Sequence, residues 1–314
     1  MRCEQWASES RQRALVLVSV LWVLLLLSLL VTNLSLSARS FARQAQNAEQ
    51  AVRASEAADS GIVWALWNLQ QSGVRQWLAD GSGHRLALAD THVWVALQDE
   101  SGKVDLNYAP TELLDGLLAL VIEDDTRREA LVAAIEDWRD ADDLVRLNGA
   151  EESEYLAAGR STGPANREFY DVEELSQVLG MTPDIYDRVR WSLTVNNGTR
   201  GINPQFAPAD VLMALPGASL VTVEQFIEDR RQAWEDEQPM PAMPFDASLY
   251  IETGRAGIEY SVQSWASIKP WTEVRQQALI TVRGGFPAVR QQRVLFDTAG
   301  LPQADSAGGT DDEQ

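Results

Sequence analysis

Ala14-Leu-Val-Leu-Val-Ser-Val-Leu-Trp-Val-Leu-Leu-Leu-Leu-Ser-Leu-Leu-Val31 is apolar apart from Ser19 and Ser28, and no charged residue occurs between Ala14 and Arg39. The 25 uncharged residues from Ala14 to Ala38 would reach about 37 Å as a helix, which covers the hydrocarbon core of a bilayer. A secretory signal peptide usually has a shorter apolar stretch of roughly 7–15 residues, although Ser35-Leu-Ser-Ala38 has the small residues of a cleavage site. The stretch therefore reads as a membrane-spanning helix. Arg2, Arg11 and Arg13 on one flank balance Arg39, Arg43 and Arg53 on the other, so charge alone does not orient it. Nearly all of the chain follows the span, and that bulk is expected on one side of the membrane.

Working outward, the helix is expected to continue beyond the membrane. Between Arg39 and Gln71 there is no proline and the only glycine is Gly61, while Ala45, Ala48, Ala51, Ser55, Ala58, Ile62 and Leu66 recur at steps of three and four. Small side chains on that face would let a sheet or another backbone approach closely. Gly81 to Gly83 reads as a turn, and His84–Ala89 and Thr91–Gln98 as strands. Helices are expected over Thr111–Ile122, Thr126–Trp138, Val172–Leu179, Asp184–Trp191, Pro208–Leu215 and Val221–Trp234. The proline-rich connector Glu237–Pro244 then gives way to alternating segments, Ser248–Glu252, Gly257–Ile268, Arg275–Arg283 and Gln292–Phe296, which read as antiparallel strands. Strands thus flank a helical block. The fold class is α+β, with a long N-terminal helix packed on an antiparallel sheet and a large, mostly helical domain inserted between early and late strands.

Composition narrows the function. The 314 residues carry 46 Asp and Glu against 26 Lys and Arg, a formal charge of -20, which repels a phosphate backbone and argues against nucleic acid as a partner. Cys3 is the single cysteine, so neither an intrachain disulfide nor a cysteine-based zinc site can form. His84 and His92 are the only histidines, and both are expected to serve packing near strands. No Gly-x-Ser-x-Gly, Walker loop, dinucleotide fingerprint or His-Glu-x-x-His occurs, and the many acids make any catalytic carboxylate pair unspecific, so the chain does not read as an enzyme.

Two features remain. Val104–Leu114 and Ile202–Leu212 echo each other at an aromatic-Ala-Pro core followed by an acid and two apolar residues, and both look like helix entrances. The second leads through Leu215-Pro-Gly217 to Ser219 like a helix-hairpin-helix unit, which in DNA-binding proteins offers amides to phosphate. Here Ser219, Glu224, Glu228 and Asp229 favour a structural or protein-binding use. The other feature is acidic: from Glu123 to Glu154 there are 12 carboxylates and four arginines. Asp140-x-Asp142 and the glycine-bearing loop to Glu152 could supply oxygens to a hard cation such as Ca²⁺, without matching an EF-hand. From charge alone, a solvated acidic loop is the commoner case.

The basic leader Arg11-Gln-Arg13, the apolar run and the alanine-rich helix together resemble the class III signal of type IV pilins and pseudopilins. Three further stretches resemble the minor pseudopilin K family of type II secretion systems. They are Lys103-Val-Asp-Leu-Asn107, Asp137-Trp-Arg-Asp-Ala-Asp-Asp143 with Asn148-Gly-Ala-Glu151, and Gly201-Ile-Asn-Pro204 through Leu215-Pro-Gly217. The resemblance implies a leader over 1–14, a transmembrane helix over 15–38, and a pilin-like domain split between 39–103 and 236–297. The inserted helical domain occupies 104–235, and an acidic tail, expected to be disordered, covers 298–314.

It further implies a single pass of the bacterial inner membrane, with the N-terminus cytoplasmic and the head periplasmic. The prepilin peptidase would cut between Ala14 and Leu15, although the family normally has glycine at Ala14. Ser19 occupies the place where other pilins carry a glutamate, an acid this family also lacks. The implied role is to cap a pseudopilus tip with the I and J minor pseudopilins and so support export of folded proteins. Calcium is implied too, with Asp140, Asp142, Asp143, Glu151 and Glu152 as ligand candidates and Asp137 and Glu154 in reserve. Two readings from other classes are a membrane-tethered nucleic-acid binder using the helical hairpin, and a tethered periplasmic hydrolase.

Overall fold

In the computed structural model, residues 3–88, 91–268 and 272–295 are described, with side chains from Val20 onward except those of Val74 and Thr272. The tail 298–314, Ala89, Phe296 and the side chains of Ala14, Leu15 and Ser19 lie outside the described residues. In chain order the elements are α1 (Cys3–Asn68), β1 (Asp80–Leu88), β2 (Thr91–Asp99), β3 (Val104–Asp105), α2 (Thr111–Ala119), α3 (Asp125–Arg139) and α4 (Glu152–Ala157). They are followed by α5 (Pro183–Val189), β4 (Leu193–Thr194), α6 (Ala209–Met213), α7 (Leu220–Glu235), β5 (Glu259–Ile268), β6 (Thr272–Arg283) and β7 (Phe286–Leu295).

α1 is one unbroken helix, and from Val20 it is long and apolar enough to cross a membrane. Among the described side chains its buried face begins at Ala54. From there Ala54, Ala57, Ala58, Ile62 and Ala65 are buried, against β2, β5 and β6, whereas Ala45, Ala48 and Ala51 are exposed. Gly61 sets the approach, because a Cβ there would lie 2.2 Å from Ser264 Oγ and 2.8 Å from Val95 Cγ2. The sheet is antiparallel with order β1-β2-β5-β6-β7. Alternation along β2 sends Val93, Val95 and Leu97 to the buried side, while Trp94 stacks on its cross-strand partner Trp265 with ring centroids 6.0 Å apart.

β2 and β5 are neighbours, so everything between Asp99 and Glu259 is inserted at that seam. The insert has its own core, including Leu113, Leu117, Ile135, Trp138, Tyr155 and Leu212. Its two echoed entrances are built alike. Asp105 Oδ1 accepts from the amide of Asn107 (2.8 Å) and Asn203 Oδ1 from the amide of Gln205 (3.0 Å). Pro110 and Pro208 then cap α2 and α6. In the first hairpin Arg139, ending α3, donates to the carbonyls of Leu106 (2.6 Å) and Ala109 (3.1 Å). In the second, Arg230 of α7 donates to Pro204 and Ala207, both at 2.8 Å. Gly116 lets the hairpins touch, since a Cβ there would lie 2.1 Å from the carbonyl oxygen of Ala214. The echo in sequence is therefore a repeated helical hairpin in space.

Insert and sheet are joined by buried charge. Arg230 Nη2 meets Asp80 Oδ2 at 2.8 Å with both side chains almost fully buried. Lys103 Nζ pairs with Glu100 Oε1 at 2.7 Å and donates to Ser261 Oγ of β5 at 2.8 Å. Several expectations need correction. Gly81 to Gly83 lies within β1, which bulges between Asp80 and Gly83. Ser248–Glu252 is no strand of the sheet: Ser248–Tyr250 is a 3-10 turn, and Ile251 makes one isolated parallel bridge to Ile202. Val172–Gln177 is 3-10 rather than α. α4 was not anticipated, nor was the parallel pair β3–β4.

Candidate metal centre

α3 begins at Asp124, whose carboxylate accepts from the amide of Arg127 at 3.0 Å, and ends where Asp140 turns extended. Its last turn buries Asp137 completely. The chain then loops over that carboxylate, and Asp137 Oδ2 accepts from the amides of Ala150 (2.8 Å) and Arg146 (3.3 Å). Only glycine allows this closeness at 149, because a Cβ would lie 2.0 Å from Asp137 Oδ2, and Asn148 takes φ 65 to make the turn. Glu151, just before α4, is brought back beside Asp137 and is 5% exposed.

Four carboxylates act on Glu151: Asp137, Asp140, Asp143 and Asp142. Burial first, then these neighbours, push its carboxyl up to about 7. Burial also raises Asp137, against the hydrogen bonds from Arg146 and Ala150. Both oxygens of Glu151, together with Asp137 Oδ1 and Asp140 Oδ1, are buried without a hydrogen-bond partner among the described residues. Buried acceptors ordinarily find donors, so orphaned oxygens of this kind suit a cation. Arg146 supplies charge beside them, its guanidinium 3.0 Å from Asp140 Oδ2, 3.2 Å from Asp137 Oδ1 and 3.7 Å from Glu136 Oε2.

Of the residues singled out in sequence, Asp140, Asp142, Asp143 and Glu151 share this cluster. Asp142 Oδ1 also accepts from the amide of Leu144 (2.9 Å), and Asp143 Oδ1 from Asn166 Nδ2 (2.7 Å). Glu152 opens α4 and is exposed. The reserve residue Glu154 caps that helix, accepting from the amide of Glu151 at 2.9 Å and from Ser153 Oγ at 2.8 Å. Asp137, also a reserve, is the buried centre. No three His, Cys, Asp or Glu among the described residues are drawn together tightly enough to hold an ion in this arrangement, as self-repelling carboxylates around a guanidinium would dictate. The all-oxygen donor set nevertheless fits a hard divalent cation. Arg146 escaped the sequence reading because it entered only as charge to be subtracted.

The other candidates serve structure. His84 on β1 stacks on Trp77 with ring centroids 4.0 Å apart. In the α6–α7 turn, Gly217 takes φ +81, and Ser219 Oγ accepts from the amide of Thr222 at 3.3 Å to cap α7.

Comparison with known proteins bears on the same region. Residues 94–197, which contain the whole acidic loop, match the family model described as type II secretion system (T2SS), protein K. A putative type II secretion system protein K of Escherichia coli (strain K12) is 24% identical over 319 aligned positions, covering 86% of this chain and 97% of that one. The chain is thus similar to protein K of type II secretion systems through this matched region and across most of its length at low identity. Type II secretion system protein K of Pectobacterium carotovorum subsp. carotovorum is 34% identical over 93 residues. That match spans 30% of this chain and only 28% of the relative, less than two thirds of its length. The crystal structure of the GspK-GspI-GspJ complex from enterotoxigenic Escherichia coli aligns with a TM-score of 0.49 at 18% identity, covering 83% of this chain and 99% of that one. The protein K match begins at Trp94 on β2 and ends beyond β4, so it spans the seam at which the helical domain enters the sheet.

Proposed function

We propose that this chain is a minor pseudopilin of a type II secretion system, capping the tip of a periplasmic pseudopilus together with the I and J minor pseudopilins. The observation that carries the reading is the single helix from Val20 to Asn68, apolar in its first half and packed beneath a sheet in its last turns. Such a helix can hold a folded head at a fixed distance from a bilayer. The match of residues 94–197 to the protein K family model supports the role. In this reading the helix crosses the bacterial inner membrane with the head in the periplasm, after the prepilin peptidase cuts between Ala14 and Leu15. Ser19 leaves no acid to receive the amine of a subunit stacked above it.

Calcium belongs to the same reading. Asp137, Asp140, Asp142, Asp143 and Glu151 would hold it, and its contribution would be to neutralise crowded carboxylates and fix the loop between α3 and α4. The test uses the full chain in detergent, mixed with the I and J minor pseudopilins of the same bacterium, with and without chelator. A stoichiometric ternary complex is expected, and no complex from a folded chain overturns the capping role. Chelation is expected to lower the melting temperature, and an unchanged value removes calcium from the account.

A further inference from the structure

We propose that Arg146 is the internal counter-cation of the acidic loop, occupying the place of a divalent ion among Glu136, Asp137 and Asp140 and thereby setting how tightly that ion binds. The inference rests on the calcium reading above and names the residue that tunes it. Three carboxylates lie 3.0–3.7 Å from the guanidinium. Its side chain is 48% exposed, so it can swing into water without opening the core. The path of the loop is kept without it, because the amides of Arg146 and Ala150 hold Asp137 Oδ2 through main chain, although its charge offsets the neighbouring acids.

A guanidinium is a planar donor with one charge, whereas Ca²⁺ carries two and gathers six to eight oxygens at about 2.3–2.6 Å. Both draw on the carboxylates of Asp137 and Asp140, and a guanidinium 3.2 Å from Asp137 Oδ1 and 3.0 Å from Asp140 Oδ2 opposes a second cation beside them. Binding is then an exchange in which the ion enters as Arg146 leaves. Glu151 shows where the exchange leads, since it is buried beside these acids with both oxygens unpartnered. One positive charge serves Glu136, Asp137 and Asp140 but leaves Glu151 unmatched, and a doubly charged ion would offset more of this charge.

The experiment is calcium titration by calorimetry on the full chain in detergent, first stripped with chelator, for the wild type, Arg146→Gln and Arg146→Lys. Removing a competing charge a few ångströms from the ion is expected to tighten calcium binding about tenfold or more in Arg146→Gln. Arg146→Lys keeps the charge but loses the planar fork, so a smaller tightening is expected. The glutamine variant should also melt lower than wild type in chelator and gain more from calcium, a combination that a purely structural role would not give. Equal or weaker binding in both variants, with the wild type binding calcium, overturns the role of Arg146 alone. No binding by any of the three overturns the calcium reading and this inference together.

Discussion

At the scale of single residues, Glu151 ties the chemistry of the loop to pH. Its folded carboxyl titrates near 7 against an ordinary 4.5. Between those values the unfolded chain is ionised while the folded chain holds a proton, so stability without calcium rises as pH falls from above 7 towards 4.5 and levels off below. The metal-free protein should therefore melt lower at pH 8 than at pH 6, and Glu151→Gln should flatten that difference. Thermal melts in chelator across this range check it, and an unchanged slope in the variant removes Glu151 as the cause. The acids around Glu151 were legible in sequence because their density is visible in any window. The rank among them was not. Asp137 sits two residues before the helix end, where periodicity says nothing of burial, and only the fold of Ala150 back onto it makes it the centre.

At the scale of elements, α1 and the sheet meet through a glycine. Gly61→Ala would force Ser264 and Val95 apart from the helix, and overpacking of this kind costs about 1–3 kcal/mol. A lower denaturation midpoint with unchanged slope in urea is expected, and a midpoint equal to wild type would show that the interface can relax. Helices and long strands followed from apolar spacing, but the start of helix packing did not. The small-residue face runs evenly from Ala45 to Leu66, whereas the sheet reaches only as far as Ala54. The β6–β7 hairpin turns at Gly284-Gly285, with φ +60 and +83, a signal present in the sequence that would have extended β7 back to Phe286. Two-residue β3 and β4 exist only because the insert closes on itself, and no local pattern encodes them.

At the scale of the whole molecule, the sheet and the helical insert are held by the Arg230–Asp80 pair. Arg230 also secures the entrance of its own hairpin through Pro204 and Ala207. Arg139 plays that second part in the first hairpin but reaches no strand of the sheet through a described hydrogen bond. Arg230→Ala should accordingly cost about 3–5 kcal/mol, the usual penalty for stranding a buried charge. Arg139→Ala should cost less, and equal losses in chemical denaturation would show that the bond to Asp80 adds nothing. Two cores with different composition were foreseeable from strands on either side of a helical block. The buried charges at their seam were not, because Asp80 and Arg230 are 150 positions apart.

The placement of β5 beside β2 also orders events in time. β1 and β2 leave the ribosome early, yet the strand that completes their pairing follows only after the whole helical domain has been made. Until then β2 has an open side and α1 lacks two of the three strands it packs against. Closing so long a loop is slow, and an unpaired strand is vulnerable while it waits. The helical domain, rich in local contacts, can form first and bring its two ends together. The insert thus doubles as the step that permits the sheet to finish, and a chain truncated before Glu259 would be left with an exposed edge on an anchored helix.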